Sequence, residues 1–166
     1  MAQTMCTSRS NGHALCVHVI PLQHQPQVWY NLRMDQGEAQ RRWETASEFS
    51  QAAETVYRQQ QYRACVGLAY YACFQAMWVA VGTPPTGRWQ HLGLLRRFCA
   101  GQWAQPPMEP PRLAPVYRRL LALYELRLDA HYRAYPIPPA QAQQGLQTVG
   151  EVLQLVRQHP PMEDTP

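Results

Sequence analysis

The stretch YELRLDAHYRAYP, Tyr124 to Pro136, holds the residues best suited to chemistry. Arg127, His131 and Tyr132 fall within six positions of one another. An arginine fork matches a phosphate group, and a histidine near its ordinary pKa moves protons at neutral pH. Metal-free cleavage of RNA requires these types. A base takes the 2′-hydroxyl proton, an acid protonates the leaving oxygen, and a cation steadies the phosphorane. Residues four apart on an α-helix share a face, so Arg127 and His131 are expected to meet each other or a common phosphate. The competing expectation is structural. His131 would close the apolar stripe of its helix and pack on a neighbour, with Arg127 at the edge bonded to Asp129 or Glu125. For catalysis the structural alternative leads; for binding without cutting the two are balanced.

Other candidates surround this pair in sequence. His91, after GRWQ, opens a short helix, where it caps or bonds into the core and can reach Arg127 as a neighbour. Tyr70 and Tyr71 are expected in the core, with their hydroxyls bonded to backbone. Tyr132 reads as a partner for Arg127, a modification site or an interface residue. The doublets Arg41-Arg42, Arg96-Arg97 and Arg118-Arg119 could line a phosphate path or simply face solvent. The expected catalytic residues are therefore Arg127 and His131, and the expected nucleic-acid or nucleotide ligands are Arg127, Tyr132, His91, Arg118 and Arg119. There is no glycine-rich phosphate loop, nucleophile elbow or metal box. His13, Cys16, His18 and His24 lie close together without zinc-ligand spacing, so neither a metal nor a cofactor is expected.

Five helices are needed to place these residues. The chain has 166 residues, enough for one core, and a net charge of +4. All its basic residues are arginine. A complete absence of lysine beside abundant Ala, Gln and Pro fits GC-rich coding as well as nucleic-acid binding. The five cysteines, Cys6, Cys16, Cys65, Cys73 and Cys99, form no CxxC and read as free thiols. No apolar run is expected to reach the length of a membrane span and no secretory signal is seen, so a cytoplasmic protein is expected.

Residues 1–33 show no sustained period and read as a poorly ordered extension, with Met34 a sensible start. Residues 34–158 are expected to form the domain, and 159–166 a disordered tail. Helices are expected over about 35–60, 61–81, 89–101, 113–135 and 140–158. The first has a small-and-aromatic face of Ala39, Trp43, Ala46, Ser50, Ala53 and Tyr57. The second is apolar nearly all round and is the expected central helix. The third carries Leu92, Leu95 and Phe98. The fourth carries Tyr117, Leu121, Tyr124, Leu128 and His131, and the fifth Leu146, Val149, Leu153 and Val156. The expected fold is an all-α, up-and-down bundle of four long helices plus one short one.

Three segments in order, ACVGLAYYACFQAMWVAVG, HLGLLRRF and LYELRLDAHYRAYPIPPAQAQQGLQTVGEVLQLV, resemble the HEPN (higher-eukaryote and prokaryote nucleotide-binding) family, in its small single-domain prokaryotic branch. Tyr70, Tyr71, His91, Phe98, Arg127 and Tyr132 carry the resemblance, which spans about residues 35–158. It implies a helical bundle that homodimerises, and often a metal-independent endoribonuclease. It also implies a toxin–antitoxin or defence-type pair with a minimal nucleotidyltransferase. The family's nuclease signature is Arg, four to six residues, then His. Here three residues separate Arg127 from His131, and Tyr132 stands where the signature wants His. His131 in turn stands where this branch usually has Asp. The motif thus looks degenerate. The alternative is a non-catalytic helical interaction module, the partner subunit of a nucleotidyltransferase. A metal or redox bundle would need inward-facing Glu and Glu-x-x-His pairs, which are lacking.

Overall fold

The computed structural model describes residues 34–159, all-helical with five α-helices and no strand among them. The expectations for residues 1–33 and for the tail beyond 159, including the His13, Cys16, His18 and His24 cluster, lie outside the described residues. Helix α1, Gln36–Arg58, begins where the Asp35 carboxylate accepts the Glu38 amide at 3.0 Å, an N-cap that satisfies one orphan donor. Ala46 and Ala53 on its inner face are completely buried, so α1 can approach its neighbour closely.

That neighbour is α2, Tyr62–Val81, which touches every other helix. Twelve of its twenty residues are buried, from Cys65 to Ala80. By length and composition α2 is apolar enough to cross a membrane, contrary to the sequence expectation, because its one charged residue sits at the end of an otherwise small and aromatic run. Two-thirds of that span (67%) is buried inside the bundle, which is how a central helix satisfies an all-round apolar surface. Gly82 ends α2 at φ 85°, a left-handed conformation that glycine adopts without a Cβ clash.

Helix α3, His91–Cys99, buries Leu94, Leu95, Phe98 and Cys99. Trp103 then stacks on Phe98, with centroids 4.8 Å apart, and donates its indole N–H to the Phe98 carbonyl at 2.7 Å. Helix α4, Pro110–Leu128, starts on a proline, which gives up no helical hydrogen bond at that position. Helix α5, Pro139–Gln158, starts the same way. Gly145 of α5 sits against α4, where a Cβ would lie 3.2 Å from Leu123 Cδ1.

The fourth segment departs from expectation twice. First, α4 buries Leu113, Val116, Leu120, Leu123 and Arg127, one position before the anticipated stripe of Tyr117, Leu121, Tyr124, Leu128 and His131. Both sets recur at three and four, about 100° apart round the helix. Choosing the aliphatic set leaves the tyrosines at the edge, where their hydroxyls can find polar partners. Second, the helix does not run in α form to Tyr135. Residues Asp129–Arg133 form a π-turn, closed by Ala134 at φ 55°. The Asp129 carbonyl accepts the amides of Ala134 and, at 3.1 Å, Tyr135. Pro136 follows and prevents helical continuation.

Candidate anion site at Arg127

Arg127 lies in the last turn of α4, facing α2, and is only 6% exposed. Burying a guanidinium normally requires an acid beside it. None pairs with it among the described residues. The anticipated partners are engaged elsewhere. Asp129 accepts from Arg133 at 2.8 Å, and Glu125 lies 3.9 Å from the same guanidinium. Arg127 instead donates through Nη2 to the Tyr71 hydroxyl at 2.7 Å and to the Tyr132 hydroxyl at 3.4 Å. Its Nε is buried without a partner among the described residues.

Aromatic faces supply the rest of the surroundings. The guanidinium carbon lies 5.2 Å from the Tyr70 ring, 5.2 Å from the Tyr71 ring and 5.5 Å from the Tyr132 ring. Ring quadrupoles attract a cation at such distances. Burial works against the charge, but the Tyr71 hydrogen bond and the surrounding tyrosines outweigh it, and the arginine pKa is raised. The result is a permanent cation in a neutral cage, with no counter-charge supplied by the described residues.

Behind this cage stands a histidine–tyrosine pair. Tyr70 is completely buried, and its hydroxyl lies 2.8 Å from His91 Nδ1. Burial pushes the Tyr70 phenol up, so it keeps its proton. Desolvation, aided by the Arg127 charge, lowers the His91 pKa and keeps the ring neutral. The bond runs from the phenol to Nδ1 in the tautomer with its proton on Nε2, and from Nδ1–H to the phenol oxygen in the other. Tyr124 and Phe74 flank His91, with ring centroids at 6.1 and 5.0 Å.

The remaining anticipated residues fall elsewhere. His131 is exposed as a residue, and no hydrogen bond joins it to Arg127; its imidazole rests over α2 at Gly67. The expectation that His131 packs into the core with Arg127 at its edge is thus inverted, because the arginine takes the buried position and the histidine the outer one. The π-turn explains the choice of neighbour. In its i to i+5 pattern the residue over Arg127 is Tyr132, five positions on, rather than His131, four positions on. Arg118 is exposed and precedes Arg127 by about two and a half turns, on the opposite side of α4. Arg119 is bound by Glu151 of α5, with one contact at 2.8 Å, and lines a groove of about 440 Å³ with Gln141, Gln144 and Thr148.

Sequence reasoning placed Tyr71 in the core and did not see it as the main ligand of Arg127. It also passed over Arg63 and Gly67, which contact the π-turn from α2. Arg63 left one signal. It is a cation in the first turn of a helix, where the positive dipole disfavours it unless something else holds it.

No family model matches this chain, and no curated protein matches it.

Proposed function

We propose that this chain is a HEPN-like domain that binds RNA or nucleotide phosphate at Arg127. The observation that carries this reading is a buried guanidinium without a carboxylate partner among the described residues, held by two tyrosine hydroxyls and ringed by tyrosine faces. A phosphate oxygen supplies the missing counter-charge, and charge-assisted bonds to an arginine fork are strong and directional. Tyr132, 70% exposed, lies over the arginine and offers a ring to an arriving base.

In this reading the domain is an up-and-down bundle of four long helices and one short one that works as a cytoplasmic homodimer. Its partner is a minimal nucleotidyltransferase in a toxin–antitoxin or defence-type pair, and no membrane is involved. The motif is a degenerate form of a metal-independent ribonuclease site. Arg127 keeps the phosphate-binding role, while Tyr132, with a phenol in place of an imidazole, holds the adjoining position. Binding is therefore favoured over cutting. The same face supports a second reading, a non-catalytic interaction module, because Tyr132 and Tyr135 are the large apolar residues left exposed among the described ones, at 70% and 58%.

The deciding experiment measures binding and cleavage of a labelled single-stranded RNA in EDTA by wild type, Arg127→Met and His131→Ala. Binding without cleavage, lost in Arg127→Met and retained in His131→Ala, is expected. Robust cleavage lost in both variants would make the pair a working nuclease site. A folded wild type that binds neither RNA nor mononucleotides would leave the interaction module as the function.

A further inference from the structure

We propose that Arg63 is a positioning residue: it holds the Asp129–Arg133 turn in its π register, and so sets Tyr132 rather than His131 over Arg127. The functional consequence rests on the reading of Arg127 as a phosphate ligand; the structural claim does not.

A π-turn is rarely stable on its own, and its closing carbonyls need donors. Arg63 supplies them. One terminal nitrogen donates to the Ala130 carbonyl, and the other donates to the carbonyls of Ala134 and Tyr135, each at 3.1 Å. A planar fork can reach several carbonyls at once, whereas a lysine ammonium acts as a point. The cost of a cation at the start of α2 is offset by these bonds across to the other element.

The same face of α2 carries the rest of the contact. Arg63, Gly67 and Tyr71 recur at four-residue spacing and so lie in one row. Along that row they meet, in order, the carbonyls after Asp129, the His131 ring and the Arg127 guanidinium. Gly67 is the notch. A Cβ there would lie inside contact distance of His131 Nε2 and 2.9 Å from Cε1. The imidazole can occupy that space only because glycine leaves it open. The row thus fixes where His131 goes, and the π spacing places Tyr132 one position further round.

If the turn relaxes to α geometry, the residue four after Arg127 moves over the guanidinium and Tyr132 rotates away. Arg63→Ala removes the donors that oppose this relaxation. Arg63→Lys keeps charge and length but loses the fork.

The test uses the full chain in solution NMR, without RNA. In wild type, nuclear Overhauser contacts should connect the Arg127 guanidinium and the Tyr71 ring to the Tyr132 ring. In Arg63→Ala those contacts should weaken and be replaced by contacts to His131, with Arg63→Lys between the two. A folded Arg63→Ala that keeps the wild-type contacts would overturn the proposal. Should Arg63→Ala not fold, Arg63→Lys decides by the same criterion. A second arm reads coupling through affinity for labelled single-stranded RNA. Tyr132→Phe should weaken binding roughly fivefold in wild type and have no effect in the Arg63→Ala background. Equal effects in both backgrounds would also overturn it. A wild type that binds no RNA would remove the binding reading while the NMR arm still judges the register.

Discussion

Arg119 and Arg127 lie two turns apart on α4 and are held in opposite ways. Arg119 reaches across to Glu151 of α5 and stays half-exposed, so its charge is balanced and hydrated. Arg127 is buried against α2, and oxygens and rings surround it without an acid among the described residues. The first is an ordinary inter-helix pair that water would largely replace. The second retains a full charge that no acid among the described residues neutralises, where an aliphatic side chain would fill the same place without desolvating a charge.

The sharpest break of this comparison is Arg127→Met. Loss of RNA binding by at least about a hundredfold is expected, together with a change in stability of no more than about 1 kcal/mol, because the lost tyrosine contacts of the cation are offset by relief of its burial. Filter binding and denaturant melts check the two halves. A marked loss of stability would instead make Arg127 a structural residue. Next comes Tyr71→Phe, which removes the closest acceptor of the guanidinium. A buried charged donor then keeps only the longer bond to Tyr132, and stability should fall by about 1.5–3 kcal/mol, measured by urea unfolding.

The third concerns His91. Its pKa is lowered in the folded state, so the unfolded chain binds the proton more readily. Stability is therefore retained above the ordinary histidine value of 6.5 and lost as pH falls through and below it. Thermal melts between neutral and mildly acidic pH should show this loss, and His91→Asn should flatten it. The smallest effect belongs to Arg119→Ala. An ion pair this exposed contributes less than about 1 kcal/mol, and high salt should erase the difference from wild type.

Much of the scaffold was legible in the sequence. The all-round apolar run from Cys65 to Ala80 announced the central helix, and Pro139 suited the first turn of the last one, whereas α4 begins at Pro110, three residues before the expected start at 113. Arg127, Tyr132, Tyr70 and His91 were singled out from residue type and order, and the fold brings them together. The face of α4 was not legible, because two adjacent stripes had equally apolar spacing and only packing distinguishes aliphatic from tyrosine. Nor was the π-turn. Its cause is a contact between Arg63 and carbonyls some seventy positions away, which no local periodicity records. Counting residues as though α4 stayed regular therefore paired Arg127 with His131, when the turn pairs it with Tyr132.

Three thiols in the core have a use of a different kind. Cys65, Cys73 and Cys99 are buried and free, and burial pushes Cys65 to about 11, Cys99 to about 12 and Cys73 higher still. In the closed bundle they are poor nucleophiles. Each can be alkylated only while its own stretch of helix is open, at the start of α2, at its middle and at the end of α3. Peptide-resolved alkylation would then act as three internal clocks, each reporting how often its part of the bundle breathes, without any label added to the protein.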